Sequence, residues 1–275
     1  MDMQPKDMAL AEFIKLPTTV SFQVQDSDRF RNFVEENPYI RIGAVLSGGY
    51  AIAYVQEDKL RSTLRELGET FMSTHPTAYT LLDKKTFEEP FVTRVQQMPG
   101  FDLRGQGVIL GFVDTGIDYT SPSFRYEDGS SKILSIWDQT EDGPFPYDMQ
   151  FGAVYTQEEI NSALQSDSPL DIVPHEDSIG HGTFIASAAG GRENNGHIGA
   201  APDASIIAVK LKPASPYYFN LFPELPESSN IFTSDNIMMG IDYILDRADA
   251  FDRPVAICIA LGSNFGGHDG LSMME

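Results

Sequence analysis

The sequence predicts an α/β protein: a parallel sheet covered by helices on both faces, with a smaller unit of strands and helices ahead of it. Three observations predict it. Beyond residue 105, the apolar runs Gly107–Val113, Ser205–Leu211 and Pro254–Leu261 lack polar–apolar alternation and are separated by helical segments. That is the pattern of strands buried on both faces. Ahead of residue 84, short alternating strands are interleaved with amphipathic helices. Between the two, residues 84–105 are polar and carry Pro90, Pro99 and Gly100, the composition of an exposed connector.

In the smaller unit, Thr19 to Val24 alternates as a strand. Asp26-Ser27-Asp28 can cap a helix through Glu36 whose apolar face holds Phe30, Phe33 and Val34. Tyr39 to Leu46 and Tyr50 to Val55 read as two strands joined by a tight turn at Ser47-Gly48-Gly49. Glu57 to Phe71 repeats Leu60, Leu64 and Leu67 at helical spacing, and Tyr79 to Leu82 is expected as the last strand. The order β-α-β-β-α-β is a ferredoxin-like plan, which fixes no function by itself. The expected organisation is a leader over 1–18, this unit over 19–83, the connector over 84–105 and the larger unit over 106–275.

In the larger unit, Gly182 to Ala189 is a small-residue helix stopped by Gly190-Gly191. Asp235 to Ala248 is a helix with Ile237, Ile241, Ile244, Leu245 and Ala248 on one stripe. The stretches 140–178 and 212–232, rich in Pro, Asp, Glu and Ser, are expected as surface insertions.

Composition excludes several functions. Nineteen Lys and Arg stand against 40 Asp and Glu in 275 residues, a formal charge of −21. Such a chain has little with which to neutralise nucleic-acid phosphates or anionic lipid. The one cysteine, Cys258, lies in the apolar run Val255 to Ile259; no internal disulfide is possible, and an inert buried thiol is expected. The N-terminal stretch reads as neither a secretory signal nor a membrane span, so a cytoplasmic place of synthesis is expected.

Two motifs carry the chemistry. Asp114-Thr115-Gly116 follows directly on the strand 107–113, and sites in open α/β sheets form at the carboxyl ends of strands. An Asp there closes a turn or orients a histidine. Gly180-His181-Gly182-Thr183 heads the small-residue helix, and its flanking glycines let other backbone approach the imidazole. Alone, each motif has a structural explanation; the ordered pair is far more specific.

Together these residues resemble the subtilisin-like serine protease family. The likeness extends to Gly199-Ala200-Ala201-Pro202-Asp203-Ala204 before the strand 206–210 and to Leu261-Gly262 after a buried strand. It also extends to the 19–82 unit, which is similar to the family's propeptide, a folding chaperone and inhibitor. Val108 to Tyr119, Ser135 to Thr140 and Gly266 to Gly270 resemble the branch that includes the Csp germination proteases of spore-forming bacteria. The resemblance implies an Asp-His-Ser triad with Asp114 and His181 as its first two members. It implies that Ala260, Leu261 and Gly262 bind substrate backbone. The implied partner is a protein or peptide substrate, in the Csp branch a cortex-hydrolase proenzyme, which would associate the protein with the spore. It further implies that a tail within Leu82 to Gln97 approaches the cleft near His181 and Leu261-Gly262.

The sequence also departs from the family. The motif Gly-Thr-Ser-Met-Ala-x-Pro appears nowhere in the 275 residues. Ser272 follows His181 too closely to replace the nucleophile, and Asn264 lies too close to Leu261-Gly262 to be the oxyanion-hole asparagine. Both parts are expected beyond Glu275. Phe184 and Ala260 stand where many relatives have His and Ser. No cofactor is expected. Asp138, Asp142 and Asp148 are acids that could take Ca²⁺, whereas His75, His175, His197 and His268 lack ligand spacing and are expected to be structural or exposed. The alternative reading is a non-catalytic pseudoprotease or regulatory binding module; a truncated product is a further one.

Overall fold

The structure, a computed structural model, describes residues 5–68, 73–74, 76–82, 103–146, 148–221 and 230–263. Its N-terminal elements are α1 (Leu10–Lys15), β1 (Thr19–Gln25), α2 (Asp28–Glu36), β2 (Ile40–Val45), β3 (Tyr50–Gln56), α3 (Glu57–Leu67), β4 (Ser73–Thr74) and β5 (Ala78–Leu81). Ser27 starts α2 by accepting the Phe30 amide hydrogen on its hydroxyl at 3.2 Å. The turn between β2 and β3 closes with Gly49 at φ +79°, a left-handed conformation that suits glycine. The sheet order is β2-β3-β1-β4, antiparallel throughout.

Strand periodicity divides the two faces of this sheet. Val20, Phe22 and Val24 pack with Phe30, Val34, Leu60 and Leu67 of α2 and α3. The other face, which carries Thr19, Ser21 and Gln23, is buried against the larger unit, where Ala44, Leu46, Ile52 and Tyr54 join Met239 and Tyr243 in one cluster.

The strand expected at Tyr79 to Leu82 belongs elsewhere. The last strand of the N-terminal sheet is β4, paired to β1 with Gln23 opposite Thr74. β5 leaves that sheet and lies between two strands of the larger unit. The physical reason is hydrogen-bond satisfaction: β4 already occupies the edge of β1, while a strand between two open edges pairs on both sides.

The larger unit comprises β6 (Ile109–Asp114), β7 (Ile133–Asp138), β8 (Ala153–Thr156), α4 (Gln157–Leu164), α5 (Pro169–Ile172), α6 (His181–Gly190), β9 (Ser205–Lys210), α7 (Pro216–Leu221), β10 (Ile231–Thr233), α8 (Ser234–Ala250), β11 (Val255–Cys258) and β12 (Leu261–Gly262). Its main sheet runs β11-β6-β9-β7-β8, parallel except for the edge strand β8. Ile206 and Ala208 face α6 with Phe112, Ile136, Ile185 and Ala186. Ile207 and Val209 face α8 with Val113, Trp137, Ile237 and Ile244. Each strand thus fills a core on both sides, which is why its sequence does not alternate.

Three expectations change here. The stretch 140–178 is not merely a surface insertion, because it supplies β8 and α4, whose Ile160 and Ala163 are fully buried. The stretch 212–232 likewise supplies α7 and part of β10. The run Pro254–Leu261 divides: β11 completes the main sheet and β12 pairs with β5. Cys258 ends β11 half-buried, and burial pushes its thiol up from the ordinary range.

The N-terminal sheet docks on α8 through buried polar contacts. Ser21 donates to Asp235 Oδ2 at 2.6 Å, Gln23 Nε2 to Ser234 Oγ at 2.7 Å, and the Ser47 amide to Asp242 Oδ1 at 3.0 Å. α8 in turn sits close on the sheet at Gly240, where a Cβ would lie 3.0 Å from Val113 Cγ1 and 3.2 Å from Val209 Cγ1. Gly240→Leu is expected to lower the unfolding free energy by about 1–3 kcal/mol through overpacking; urea denaturation of the 275-residue chain measures it.

Candidate active site

Asp114 ends β6 at the carboxyl edge of the parallel sheet, and His181 opens α6. Both are buried. His181 Nδ1 donates to Asp114 Oδ1 at 2.7 Å, and the same oxygen accepts the Thr115 amide hydrogen at 2.7 Å. The sequence brings them together through three glycine positions. Gly180 precedes the helix at φ +76°. Gly116 adopts φ +118° in the Asp-Thr-Gly turn. Gly182 lies so close to that turn that a Cβ would sit 2.2 Å from the Gly116 carbonyl oxygen.

Asp177, which the sequence reading did not single out, ties the turn to the helix. Its Oδ1 accepts from Thr115 Oγ1 at 2.8 Å and from the Gly180 amide at 2.9 Å. Its Oδ2 accepts from the Thr183 amide at 2.8 Å and Thr183 Oγ1 at 2.6 Å. Thr115 Oγ1 accepts the Gly182 amide hydrogen, and Thr183 Oγ1 accepts that of Asp118. The signal was present as hydroxyls following both catalytic-type motifs and an acid four residues before His181.

Electrostatics separates the two acids. Burial pushes the Asp114 carboxyl above its ordinary range, against the opposing His181 and Thr115 hydrogen bonds. Its Oδ2 is buried without a hydrogen-bond partner among the described residues. Burial also opposes ionisation of Asp177, but the Thr183, Thr115 and Gly180 hydrogen bonds outweigh it and hold that carboxyl below the ordinary range.

On its other nitrogen, His181 meets the chain's own backbone. Nε2 lies 3.0 Å from the carbonyl oxygen of Leu82, at the end of β5. β5 pairs antiparallel with β10, Thr80 opposite Ile231, and with β12, Thr80 opposite Gly262 and Leu81 opposite Leu261. The Leu82 amide donates to the Ala260 carbonyl at 3.1 Å. The leucine side chain lies against Gly262, where a Cβ would come 2.6 Å from Leu82 Cδ2. Ala260 and Gly262 therefore contact an extended peptide, while Leu261 is buried in the core cluster.

The remaining sequence candidates do not converge on a metal. Asp138 is fully buried and bonded to His175, Asp142 is exposed and paired with Lys15, and Asp148 is exposed. Among the described residues no group of three His, Cys, Asp or Glu could hold a metal ion. His197 is exposed; His75, Asn264, His268 and Ser272 lie outside the described residues. Nor is any helix among the described residues long and apolar enough to cross a membrane.

Comparison with known proteins gives a family and relatives. The subtilase family model (Peptidase_S8) matches residues 105–268. The chain is 25% identical to subtilisin-like protease SBT2.2 of Arabidopsis thaliana over 231 residues, which is 76% of this chain and 27% of that protein. It is 33% identical to SBT2.4 of the same plant over 99 residues, 32% of this chain and 12% of that one. The structure of the Clostridium perfringens CspB protease superimposes with a TM-score of 0.54 at 32% identity, covering 66% of this chain and 35% of that one. The chain thus spans about a third or less of the length of these relatives.

Asp177 gives the site an acid-sensitive support. Its carboxyl ionises more readily folded than at its reference value of 3.8, so the stability it contributes is present above that value and lost as pH falls through and below it. Asp177→Asn is expected to show its full, pH-independent loss of stability above about pH 5, and a loss that shrinks as pH falls below about pH 4, so that its stability depends less on pH there. Urea midpoints between pH 3 and pH 6 for the two chains measure the difference.

Proposed function

The chain belongs to the subtilase family, and from that premise we propose that it forms part of a serine endopeptidase whose Asp114 and His181 are the first two members of an Asp-His-Ser triad. The observation that carries the proposal is the double engagement of His181, with Asp114 on Nδ1 and a peptide carbonyl 3.0 Å from Nε2. In this reading Asp114 accepts the Nδ1 proton and orients the ring, and once the Leu82 carbonyl, itself an acceptor, has left Nε2, that nitrogen is open to take a proton from a serine hydroxyl. The serine oxygen then bonds to the carbonyl carbon of the peptide, and the imidazolium returns the proton to the departing amine. The serine would lie C-terminal to Glu275, because no Gly-Thr-Ser motif lies within residues 1–275.

The N-terminal unit is then a propeptide, and β5 with Leu82 occupies the cleft as the acyl side of a substrate. Supporting this are the backbone pairing of β5 on both edges, the Leu82 amide bond to Ala260 and the seat of the leucine side chain on Gly262. An added strand satisfies its backbone along the cleft while its side chains are read in pockets. Self-cleavage would fall after Leu82. The likeness to CspB supports a place in the germination branch, where the substrate would be a cortex-hydrolase proenzyme.

Expression of the full-length protein tests the reading. A new N-terminus at Asp83 is expected, absent from the His181→Ala variant. The same N-terminus appearing undiminished in that variant would assign the cut to another protease. The 275-residue chain alone is expected to give no labelling with a fluorophosphonate probe; stoichiometric labelling at Ser272 would show that the nucleophile lies within it.

A further inference from the structure

A second aspartate–histidine pair lies beside the first and is not used by the chemistry above. Asp114, Lys210 and Asp138 stand in one row at the carboxyl ends of β6, β9 and β7, since Lys210 is in register with both aspartates. Each aspartate takes a histidine. His175 Nδ1 lies 2.6 Å from Asp138 Oδ2, and both side chains are completely buried. Lys210 Nζ lies 3.3 Å from the same carboxylate oxygen. Asp138 Oδ1 accepts the Thr140 amide at 2.8 Å and the Thr140 hydroxyl at 2.5 Å.

The far nitrogen of His175 is occupied. Nε2 accepts the Ile117 amide hydrogen at 3.2 Å, which places the ring proton on Nδ1, donated to Asp138. A nitrogen already holding a backbone amide cannot serve a substrate as base, which sets this pair apart from the Asp114–His181 pair. Its reach is instead to the Asp-Thr-Gly turn. Beneath Gly116, a Cβ would meet His175 Cε1 at 3.2 Å and Lys210 Cδ at 3.3 Å; above it, the Gly116 carbonyl is what a Cβ on Gly182 would strike. The turn is thus clasped between the His175 ring on one side and the first turn of α6 on the other.

We propose that His175, oriented by Asp138, is a positioning residue that sets the height of the Gly116–Ile117 backbone and through it the separation of His181 from Asp114. The inference rests on the proposed protease reading only for its kinetic consequence; the geometric consequence stands without it. Removing the ring leaves the Ile117 amide unbonded in a buried site and the turn free to drop away from α6. The Asp114–His181 bond then loses its fixed length, and a misplacement of about 1 Å in such a pair costs on the order of 10²-fold in rate.

Proton NMR of the 275-residue chain reads the geometry directly, because an Nδ1 proton in a buried, short aspartate–histidine bond resonates far downfield. Two such lines are expected, one lost in His181→Gln and the other in His175→Gln. In His175→Gln and His175→Phe the remaining His181 line should shift or broaden, while in His181→Gln the His175 line should stay in place. Asp138→Asn, which keeps the ring and an acceptor oxygen, should disturb the His181 line less than either. In the full-length enzyme, His175→Phe should lower kcat on the order of 10²-fold with little change in KM. A His181 line unmoved in folded His175 variants would overturn the proposal, as would full kcat in His175→Phe. Failure of all three variants to fold would also count against it, making His175 a determinant of the fold. Absence of hydrolysis in the unaltered full-length protein would overturn the protease reading alone, since the NMR comparison needs no turnover.

Discussion

Only a hydrogen atom fits between the α-carbon of Gly182 and the carbonyl oxygen of Gly116. The rest of the site depends on that approach. Because the first turn of α6 touches the Asp-Thr-Gly turn backbone to backbone, His181 reaches Asp114 without extending beyond its own helix, and Thr115 and Thr183 can exchange hydrogen bonds with the opposite segment. Asp177 then accepts four donors from both segments and closes the arrangement. Every side chain in this group is held by at least one neighbour that is itself held, which is how a pre-organised site keeps its geometry without substrate.

A second constraint is the geometry of sheet edges. β10 and β12 are strands of three and two residues, too short to form a sheet without an intervening partner. β5 supplies it, and in doing so carries Leu82 to His181. The polar face of β1 contributes to the same end. Ser21 and Gln23 fix the N-terminal sheet on the start of α8, immediately after β10, so docking of the sheet and placement of β5 are parts of one contact surface.

Much of this was legible in the sequence. Asp114 and His181 were readable because each joins a residue type to a place: an acid at the end of an unbroken apolar strand, and a histidine between glycines at the head of a small-residue helix. The N-terminal order of elements followed from periodicity. β5 was misassigned because its partners lie about 150 residues or more away and its own pattern is equally good for either sheet. β8 and α4 were hidden in an acidic stretch whose composition resembles a loop, although Thr156 and Glu159 form a capping box there. Alternation over Thr19 to Val24 gave the strand but not the partners of Ser21 and Gln23, because it records polarity and not what covers it. His175 and Asp177 left no periodic trace at all. Their roles are fixed by partners 37 and 62 residues away in sequence, Asp138 for His175 and Thr115 for Asp177, and for Asp177 the only local signal is its place four residues before His181.

The attachment of β5 to a docked unit has a consequence for competition. On the proposed reading, a peptide arriving from solution would have to displace a strand that is covalently joined to a neighbouring body already seated on α8, so its rival would be present at an effective concentration fixed by a short tether and independent of dilution. Lowering the protein concentration cannot empty the cleft while the chain between β4 and β5 is intact and the sheet remains docked. Occupancy of the cleft is therefore a unimolecular property of this polypeptide, governed by the opening equilibrium of the N-terminal unit. Were the backbone after Leu82 severed, as proposed, the occupant would remain tied to its unit but no longer to the body it fills, and dilution would then favour its departure.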